Sequence, residues 1–186
     1  MSNKNIVILV IVVLVVFGFY FFNINSNEPA TIVEETSQNQ NVFDPKNATY
    51  EINGTKITLV NGEAQMETAP GSASKITTRY FGNEAVGDLN FDKQDDLAFL
   101  ISQDTGGSGL FYYAVVAIKT ADGYKLTNPF FIGDRIAPQT TQIVSNELYV
   151  NYAERKPGEP MTTRPSQGVT KLLKVTPDGI LEGLMK

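Results

Sequence analysis

Alternation of apolar and polar positions indicates a β-rich domain from about residue 48 onwards. Two short alternating runs, at residues 49–52 and 56–60, flank Asn53 and Gly54. This dipeptide is typical of a type I′ turn, which joins neighbouring strands of a hairpin. Residues 75–81 alternate in the same way and predict another strand. No comparable period of 3.6 residues follows, so the domain is predicted to be built from antiparallel strands.

Two later runs are apolar at almost every position. They read LAFLIS at residues 97–102 and LFYYAVVAI at residues 110–118. Strands of this kind need cover on both faces, so they are predicted to lie at the centre of the domain. Further strands are predicted at residues 124–126, 130–132, 142–144, 148–152 and 169–175, with a long irregular loop at residues 155–166. The predicted fold is mainly β, with a single antiparallel β-sheet domain that is sandwich-like or barrel-like.

A different pattern occupies the start of the chain. Residues 6–22 read IVILVIVVLVVFGFYFF, without a charge, and a helix of this length spans about 26 Å at ~1.5 Å per residue. Lys4 precedes the run and the next basic residue is Lys46, so the positive-inside rule places the N-terminus in the cytoplasm. The polar residues 23–27 make a poor cleavage site, which favours an uncleaved signal anchor over a cleaved signal peptide.

These patterns divide the chain into three parts. Residues 1–22 are predicted to form a cytoplasmic tip and a single transmembrane helix. Residues 23–47, rich in Asn, Gln, Ser, Thr and Glu, have no sustained period and are predicted to be a flexible stalk. Residues 48–186 are predicted to form an extracytoplasmic β domain, held at the cell membrane by the helix.

Composition narrows the chemistry available to the chain. The sequence contains no Cys and no His, so it has no disulfide, no Cys-ligated zinc and no Ser-His or Cys-His catalytic pair. The net charge of −5 argues against a nucleic-acid partner, because phosphate binding needs a basic surface. The roles that this composition still allows are catalysis by carboxylates, catalysis by a Ser-Lys pair, or a non-catalytic function.

The stretch GDLNFDKQDDLAFL places several oxygen-bearing side chains just before a central strand. Counted from Asp88, side-chain oxygens fall at positions 1, 3, 5 and 9, which are Asp88, Asn90, Asp92 and Asp96, and Gln94 can offer its backbone carbonyl at position 7. Six to eight hard oxygen ligands at flexible geometry suit Ca²⁺ better than Mg²⁺ or Zn²⁺. The spacing predicts one structural Ca²⁺ site, and the simpler alternative is a solvated Asp/Asn turn without a metal.

The segment D-L-N-F-D-K-Q-D-D-L resembles the D-x-[DN]-x-D-x-x-x-D loop of integrin-type FG-GAP and VCBS repeats. That loop joins two strands and holds one Ca²⁺, so the resemblance implies the same ligand positions here. Two residues depart from the pattern. Lys93 stands where glycine is usual, because the backbone there prefers a positive φ, and Phe91 replaces another common glycine. A single copy excludes a multi-bladed propeller.

Three further segments, APGSASKITTRYFGNE, FIGDRIAPQTTQI and VNYAERKPGEPM, resemble an uncharacterised family of small bacterial membrane-anchored extracytoplasmic proteins. The resemblance extends over roughly residues 48–175. It implies a bacterial, exported domain and no particular activity.

A weaker candidate site lies at Asp134, Arg135 and Arg155, which could recognise a ligand, although a turn cap and surface ion pairs explain the same residues. The sequence therefore predicts a membrane-anchored, non-catalytic binding or structural module and identifies no protein or glycan partner. The alternatives are a carboxylate-dependent cell-envelope hydrolase, which would need two recessed carboxylates, and a subunit of a larger envelope assembly.

Overall fold

The computed structural model describes residues 42–184. The anchor predicted at residues 6–22 lies outside this range, as does most of the predicted stalk. Within the described residues no helix is long and apolar enough to cross a membrane. Their helical content is one short 3₁₀ turn, Pro45–Asn47.

Antiparallel β-strands make up most of the described residues, which confirms the predicted mainly β fold. In chain order the strands are β1 (Thr49–Ile52), β2 (Thr55–Thr58), β3 (Glu63–Glu67), β4 (Lys75–Gly87), β5 (Asp96–Asp104), β6 (Leu110–Thr120), β7 (Gly123–Leu126), β8 (Phe130–Asp134), β9 (Ala137–Val144), β10 (Glu147–Glu154), β11 (Gln167–Val175) and β12 (Leu181–Gly183).

The strands divide among three antiparallel sheets. One sheet has the order β3-β4-β5-β6-β7, with β8 also paired to β6, a second has the order β12-β11-β10-β9, and β1 pairs with β2 alone. The physical reason is that β5 and β6 are apolar on both faces. Each face then needs its own covering layer to keep these side chains from water.

Two hydrophobic cores lie on opposite faces of β5 and β6. The core shared with the four-stranded sheet includes Leu100, Ala114, Val116, Leu148, Val150 and Leu173. The core shared with the β1–β2 hairpin includes Phe99, Ile101, Val115, Tyr50, Ile52, Ile57 and Leu59. The prediction that these two strands are covered on both sides is confirmed.

The β1–β2 hairpin closes through the turn predicted from its sequence. Asn53 has φ of 50° and Gly54 has φ of 79°. Positive φ at both central positions defines a type I′ turn, whose twist matches that of the flanking strands. The turn fixes the register in which Ile52 faces Thr55, so that both apolar side chains of β1 point into the core.

Residues just before β1 also pack on the domain. The Phe43 ring centroid lies 6.1 Å from that of Phe99 and 5.5 Å from that of Tyr124. The Tyr50 hydroxyl donates a hydrogen bond to the Pro45 carbonyl at 2.5 Å. These contacts fall within the segment predicted as a stalk, and they attach its last residues to the hairpin side of the central sheet.

Strand β4 is longer than the predicted strand and bends midway. Gly82 has φ of 98° and Asn83 has φ of 53°, and the pairing of β4 with β5 shifts register there. Asn83 Nδ2 donates to the carbonyl of Gln139 on β9 at 3.3 Å. The bend therefore carries the end of β4 towards the four-stranded sheet and sets the position of the acidic loop that follows.

Candidate functional site

The five residues predicted to bind Ca²⁺ lie in and directly after the loop that joins β4 to β5. The loop begins after Gly87 and ends where Asp96 starts β5. This is the strand–loop–strand setting that the sequence predicted. Asn146, in the turn between β9 and β10, fixes the loop from outside by donating from Nδ2 to the Asp88 carbonyl at 2.8 Å.

Asp88 points into the bend of the loop. Its Oδ1 accepts from the backbone N–H groups of Asn90 at 3.2 Å and Phe91 at 2.7 Å. Its Oδ2 accepts from the N–H of Lys93 at 3.0 Å. One carboxylate thus organises three backbone donors, which is how an Asp side chain stabilises a tight turn.

Asp92 is exposed and forms a second local network. Its Oδ1 accepts from the Gln94 N–H at 2.8 Å and its Oδ2 accepts from Asn90 Nδ2 at 2.9 Å. Asn90 Oδ1 in turn accepts from the Asp92 N–H at 3.1 Å. The hydrogen bond from Asn90, followed by that from Gln94, lowers the pKa of Asp92.

Asp96 is fully buried at the start of β5. Its Oδ2 accepts from the Leu89 N–H and its Oδ1 from the Lys119 N–H, both at 2.9 Å. Burial raises the pKa of Asp96 in spite of these two donors, and the charges of Asp92 and Asp88 raise it further. Asp88 and Asp92 are therefore both close enough for their charges to act on Asp96.

The loop backbone is left-handed at the two positions where the resembling repeats favour glycine. Phe91 and Lys93 both have φ of 66°. Each costs about 1 kcal/mol relative to glycine, because a side chain crowds the following carbonyl in this conformation. The positive φ expected at the position of Lys93 is confirmed. Phe91 is also 75% exposed, although it is a large aromatic residue.

The oxygen donors of the loop have the chemistry that a hard cation prefers. Among residues 42–184 no group of three or more acidic side chains is already arranged around a common metal position. Asp88 Oδ1 accepts two backbone hydrogen bonds and Asp92 Oδ2 accepts two from side-chain amides. Asp88 Oδ2, Asp92 Oδ1 and both Asp96 oxygens accept one backbone hydrogen bond each, which leaves a second lone pair on each of them. In the described part of the chain the salt bridges join Arg79 to Glu63, Arg135 to Asp134 and Lys174 to Glu182, so none pairs a loop carboxylate. Ca²⁺ binding stays a prediction.

A cavity of about 460 Å³ opens beside the acidic loop. It lies between the loop, the ends of β6 and β7, and the turn that joins β11 to β12. Its lining combines apolar groups with one ammonium group: Asn90, Phe91, Ile118, Lys125, Val175, Thr176, Pro177 and Gly179. Lys125 Nζ donates to the Asp178 carbonyl at 3.2 Å, which ties β7 to that turn.

The structure brings Asp134, Arg135 and Arg155 together at the other end of the domain. Arg135 Nη2 lies 2.6 Å from Asp134 Oδ2, and Arg155 Nη1 donates to the Arg135 carbonyl at 2.8 Å. Arg155 Nε donates to the Thr163 carbonyl at 2.5 Å, within the long irregular loop. These bonds tie the loop to the end of β8, as expected if the three residues form a turn cap and surface ion pairs. Ligand binding by the three side chains stays a prediction.

Sequence reasoning missed two residues that hold the acidic loop. Lys119 contributes its backbone N–H to Asp96, a role that any residue except proline could fill, and its charge also lowers the pKa of Asp92. Asn146 lies 58 residues from its partner Asp88. The sequence indicates only a turn at Ser145 and Asn146, and both residues do have a positive φ and form a tight turn. The contact of this turn with the loop comes from tertiary packing.

Comparison with known proteins finds a family model that matches the start of the chain. A family model described as Mycobacterium membrane protein matches residues 2–81, which is less than half of the chain. The match is compatible with association with a membrane, and it ends before the acidic loop. No curated protein and no solved structure matches the chain.

Proposed function

We propose that this chain is a single-pass membrane protein whose extracytoplasmic β domain is a non-catalytic binding or structural module. One structural Ca²⁺, held by residues 88–96, would stabilise that domain. The observation that carries the calcium proposal is the geometry of the loop: the Asp88 and Asp92 carboxylates accept backbone hydrogen bonds within its bend, and the buried Asp96 closes it by accepting from the Leu89 N–H at 2.9 Å. No salt bridge within residues 42–184 pairs these carboxylates, and crowded carboxylates without a paired base are the setting in which a divalent cation relieves repulsion.

The membrane part of the proposal is supported by two observations. Residues 6–22 are long and apolar enough for one span. The match to a membrane-protein family model includes this run. The orientation is supported by the charges that flank the run, with Lys4 before it and Glu28, Glu34 and Glu35 after it.

The ligands proposed for Ca²⁺ are the side-chain oxygens of Asp88, Asn90, Asp92 and Asp96 and the carbonyl of Gln94. When bound, the ion supplies positive charge that compensates the carboxylates. The chain supplies the bend, because the Asp88 carboxylate already gathers three backbone N–H groups. A bound ion would therefore rigidify the connection into the central strand β5.

The non-catalytic role is favoured over a carboxylate-dependent hydrolase. Such an enzyme needs two recessed carboxylates about 5–9 Å apart. Among residues 42–184 Asp96 is the buried carboxylate, and both of its oxygens accept backbone hydrogen bonds. A carboxylate held in this way supports a structural role.

Thermal unfolding of the full chain in detergent micelles, in 10 mM Ca²⁺ and in 10 mM Mg²⁺, tests the calcium proposal. With a Kd of about 10⁻⁴ to 10⁻³ M, Ca²⁺ adds roughly 1.5–3 kcal/mol to the free energy of unfolding. The melting temperature should then rise by several degrees in Ca²⁺ and less in Mg²⁺.

Asp92→Ala should lose that rise, because it removes a proposed ligand. Asp122→Ala is the matched control, since Asp122 is exposed in the turn between β6 and β7 at the same end of the domain. An equal melting temperature with and without Ca²⁺, or an equal rise in both variants, contradicts the calcium proposal.

The membrane proposal has its own test. Carbonate extraction of expressing cells should leave the full chain in the membrane fraction. Protease added outside spheroplasts should digest it. Release by carbonate, or protection from external protease, contradicts the predicted anchor or its orientation.

A further inference from the structure

Large apolar side chains are exposed at the end of the domain that carries the acidic loop. We call this end the loop tip and define it by three connections: residues 88–95, residues 145–146 and residues 176–180. Four exposed hydrophobic residues lie in these connections or directly beside them: Val86 at 64% exposure, Phe91 at 75%, Val144 at 51% and Ile180 at 47%.

Contacts between the three connections show that they share one end. Asn146 donates to the Asp88 carbonyl at 2.8 Å, so the second connection touches the first. Phe91 and Gly179 line the same cavity of about 460 Å³, so the third connection flanks the first from another side. The three connections therefore lie at one end of the domain, and Phe91 lines the cavity between the first connection and the third.

Phe91 is the most informative of these residues. It combines 75% exposure with a left-handed backbone at φ of 66°. A ring that is three-quarters exposed gains little from hydrophobic burial, and the backbone conformation costs about 1 kcal/mol relative to glycine. A phenylalanine at this position is explained if another surface binds here and covers the ring.

The chain enters the domain near the same end. Phe43 packs on Tyr124, which lies at the start of β7 and pairs with Lys119. The Lys119 N–H donates to Asp96 at the base of the acidic loop. The 19 residues from 23 to 41 lie between the predicted anchor and this point, and an extended chain of that length reaches at most about 65 Å.

We propose that the loop tip docks on the phospholipid bilayer that holds the anchor, with Phe91 and Ile180 entering the interfacial region. The inference rests on the proposed membrane anchor, because the anchor keeps the bilayer within reach of the tip. Exposed apolar side chains on neighbouring loops can insert between lipid headgroups, where their apolar surface leaves water.

Charge at the loop tip makes this docking sensitive to Ca²⁺. Asp88, Asp92 and Asp95 lie in the acidic loop, and Lys93 compensates them in part. Anionic headgroups repel such a loop, and a divalent cation bound there reduces the repulsion. Docking on an anionic bilayer should therefore strengthen when Ca²⁺ is present.

The test uses the full chain reconstituted in phosphatidylcholine and phosphatidylglycerol vesicles. The chain contains no native Cys, so one introduced Cys can carry an environment-sensitive nitrobenzoxadiazole label. Ile180→Cys places the label at the loop tip and leaves Phe91 in place. Met161→Cys is the control, because Met161 has nearly the same exposure, 49%, in the loop at the opposite end of the domain. Doxyl-labelled lipids report contact with the bilayer by quenching.

The label at residue 180 should be quenched at least twofold more than the label at residue 161 in 1 mM Ca²⁺. Adding Phe91→Ser to Ile180→Cys should remove at least half of that difference. If the label at residue 180 is quenched equally in Ca²⁺ and in EDTA, and more than the label at residue 161, docking is supported and its dependence on calcium is overturned.

Equal quenching at residues 180 and 161 overturns the docking proposal. If the protein still sediments with the vesicles in that case, the anchor stands and docking alone fails. Failure to sediment with the vesicles overturns both the anchor and the docking that rests on it.

Discussion

Asp96 Oδ2 accepts a hydrogen bond from the Leu89 N–H at 2.9 Å across the acidic loop. This bond closes the loop onto the first residue of β5. The other carboxylate oxygen holds the Lys119 N–H at the end of β6. A single buried side chain thus joins the loop to two central strands, and this relationship gives several testable consequences.

Asp96→Asn should destabilise the domain by about 1–3 kcal/mol. An amide offers one acceptor oxygen, so it cannot accept from both N–H groups, and its own NH₂ group faces one of these donors in a buried site. Urea unfolding of the full chain in micelles measures the change. Asp95→Asn is the control, because Asp95 is exposed next to it, and it should change stability by less than about 0.5 kcal/mol. Equal effects of the two substitutions contradict this role of Asp96.

The pKa of Asp96 should lie above its ordinary value of 3.8, because burial disfavours the charged form. The folded protein then binds this proton more tightly than the unfolded chain. The contribution of Asp96 to the free energy of unfolding is therefore greatest below pH ~4 and falls as the pH rises through the folded-state pKa. Carbon-13 NMR of the side-chain carboxyl measures the midpoint.

Asp92→Asn should lower that midpoint, since it removes a negative charge that raises the pKa of Asp96. Asp122→Asn should leave it unchanged. A wild-type midpoint at or below 3.8, or no response to Asp92→Asn, is the result that rejects the electrostatic argument.

Lys93→Gly should stabilise the domain by about 1 kcal/mol relative to Lys93→Ala. Both substitutions remove the lysine charge, but only glycine relieves the left-handed φ of 66°. Chemical unfolding of the two variants isolates the backbone effect. If the alanine variant is as stable as the glycine variant, the loop does not hold residue 93 in a left-handed conformation.

Phe43→Ala should destabilise the domain by roughly 1–3 kcal/mol, because the ring packs on Phe99 and Tyr124. Val42→Ala is the matched control, since Val42 is 75% exposed and its truncation should have almost no effect. Thermal unfolding of both variants tests whether the residues before position 48 belong to the folded domain. Similar melting temperatures for the two variants would show that they do not.

The local elements of the fold could be predicted because their signals are local. Asn53 and Gly54 specify the first turn by their tolerance of positive φ, and the continuous apolar runs identified β5 and β6 as central strands. Strand β12 was missed because it has three residues, too few for a pattern. The extent of β9 was underestimated because Pro138 lies near its start, and proline is rare within strands.

The arrangement of the layers and the partners of the acidic loop could not be predicted. The sequence shows that both faces of β5 are apolar, but it does not show which strands cover each face. Asn146 meets Asp88, and Arg155 meets the Arg135 carbonyl, only after the strands pack. For the loop itself the sequence predicted the strand–loop–strand setting and the left-handed Lys93. The backbone N–H groups that donate to the loop carboxylates could be identified only from the three-dimensional structure.

Nitrogen-15 NMR of the full chain in micelles during a Ca²⁺ titration tests the central claim most directly. We expect saturable, single-site shifts of the backbone amides that donate to loop carboxylates, those of Leu89, Asn90, Phe91, Lys93, Gln94 and Lys119, and Asp92→Ala should abolish them. The absence of any shift up to 10 mM Ca²⁺, or shifts confined to other parts of the chain, would contradict a calcium site in the acidic loop.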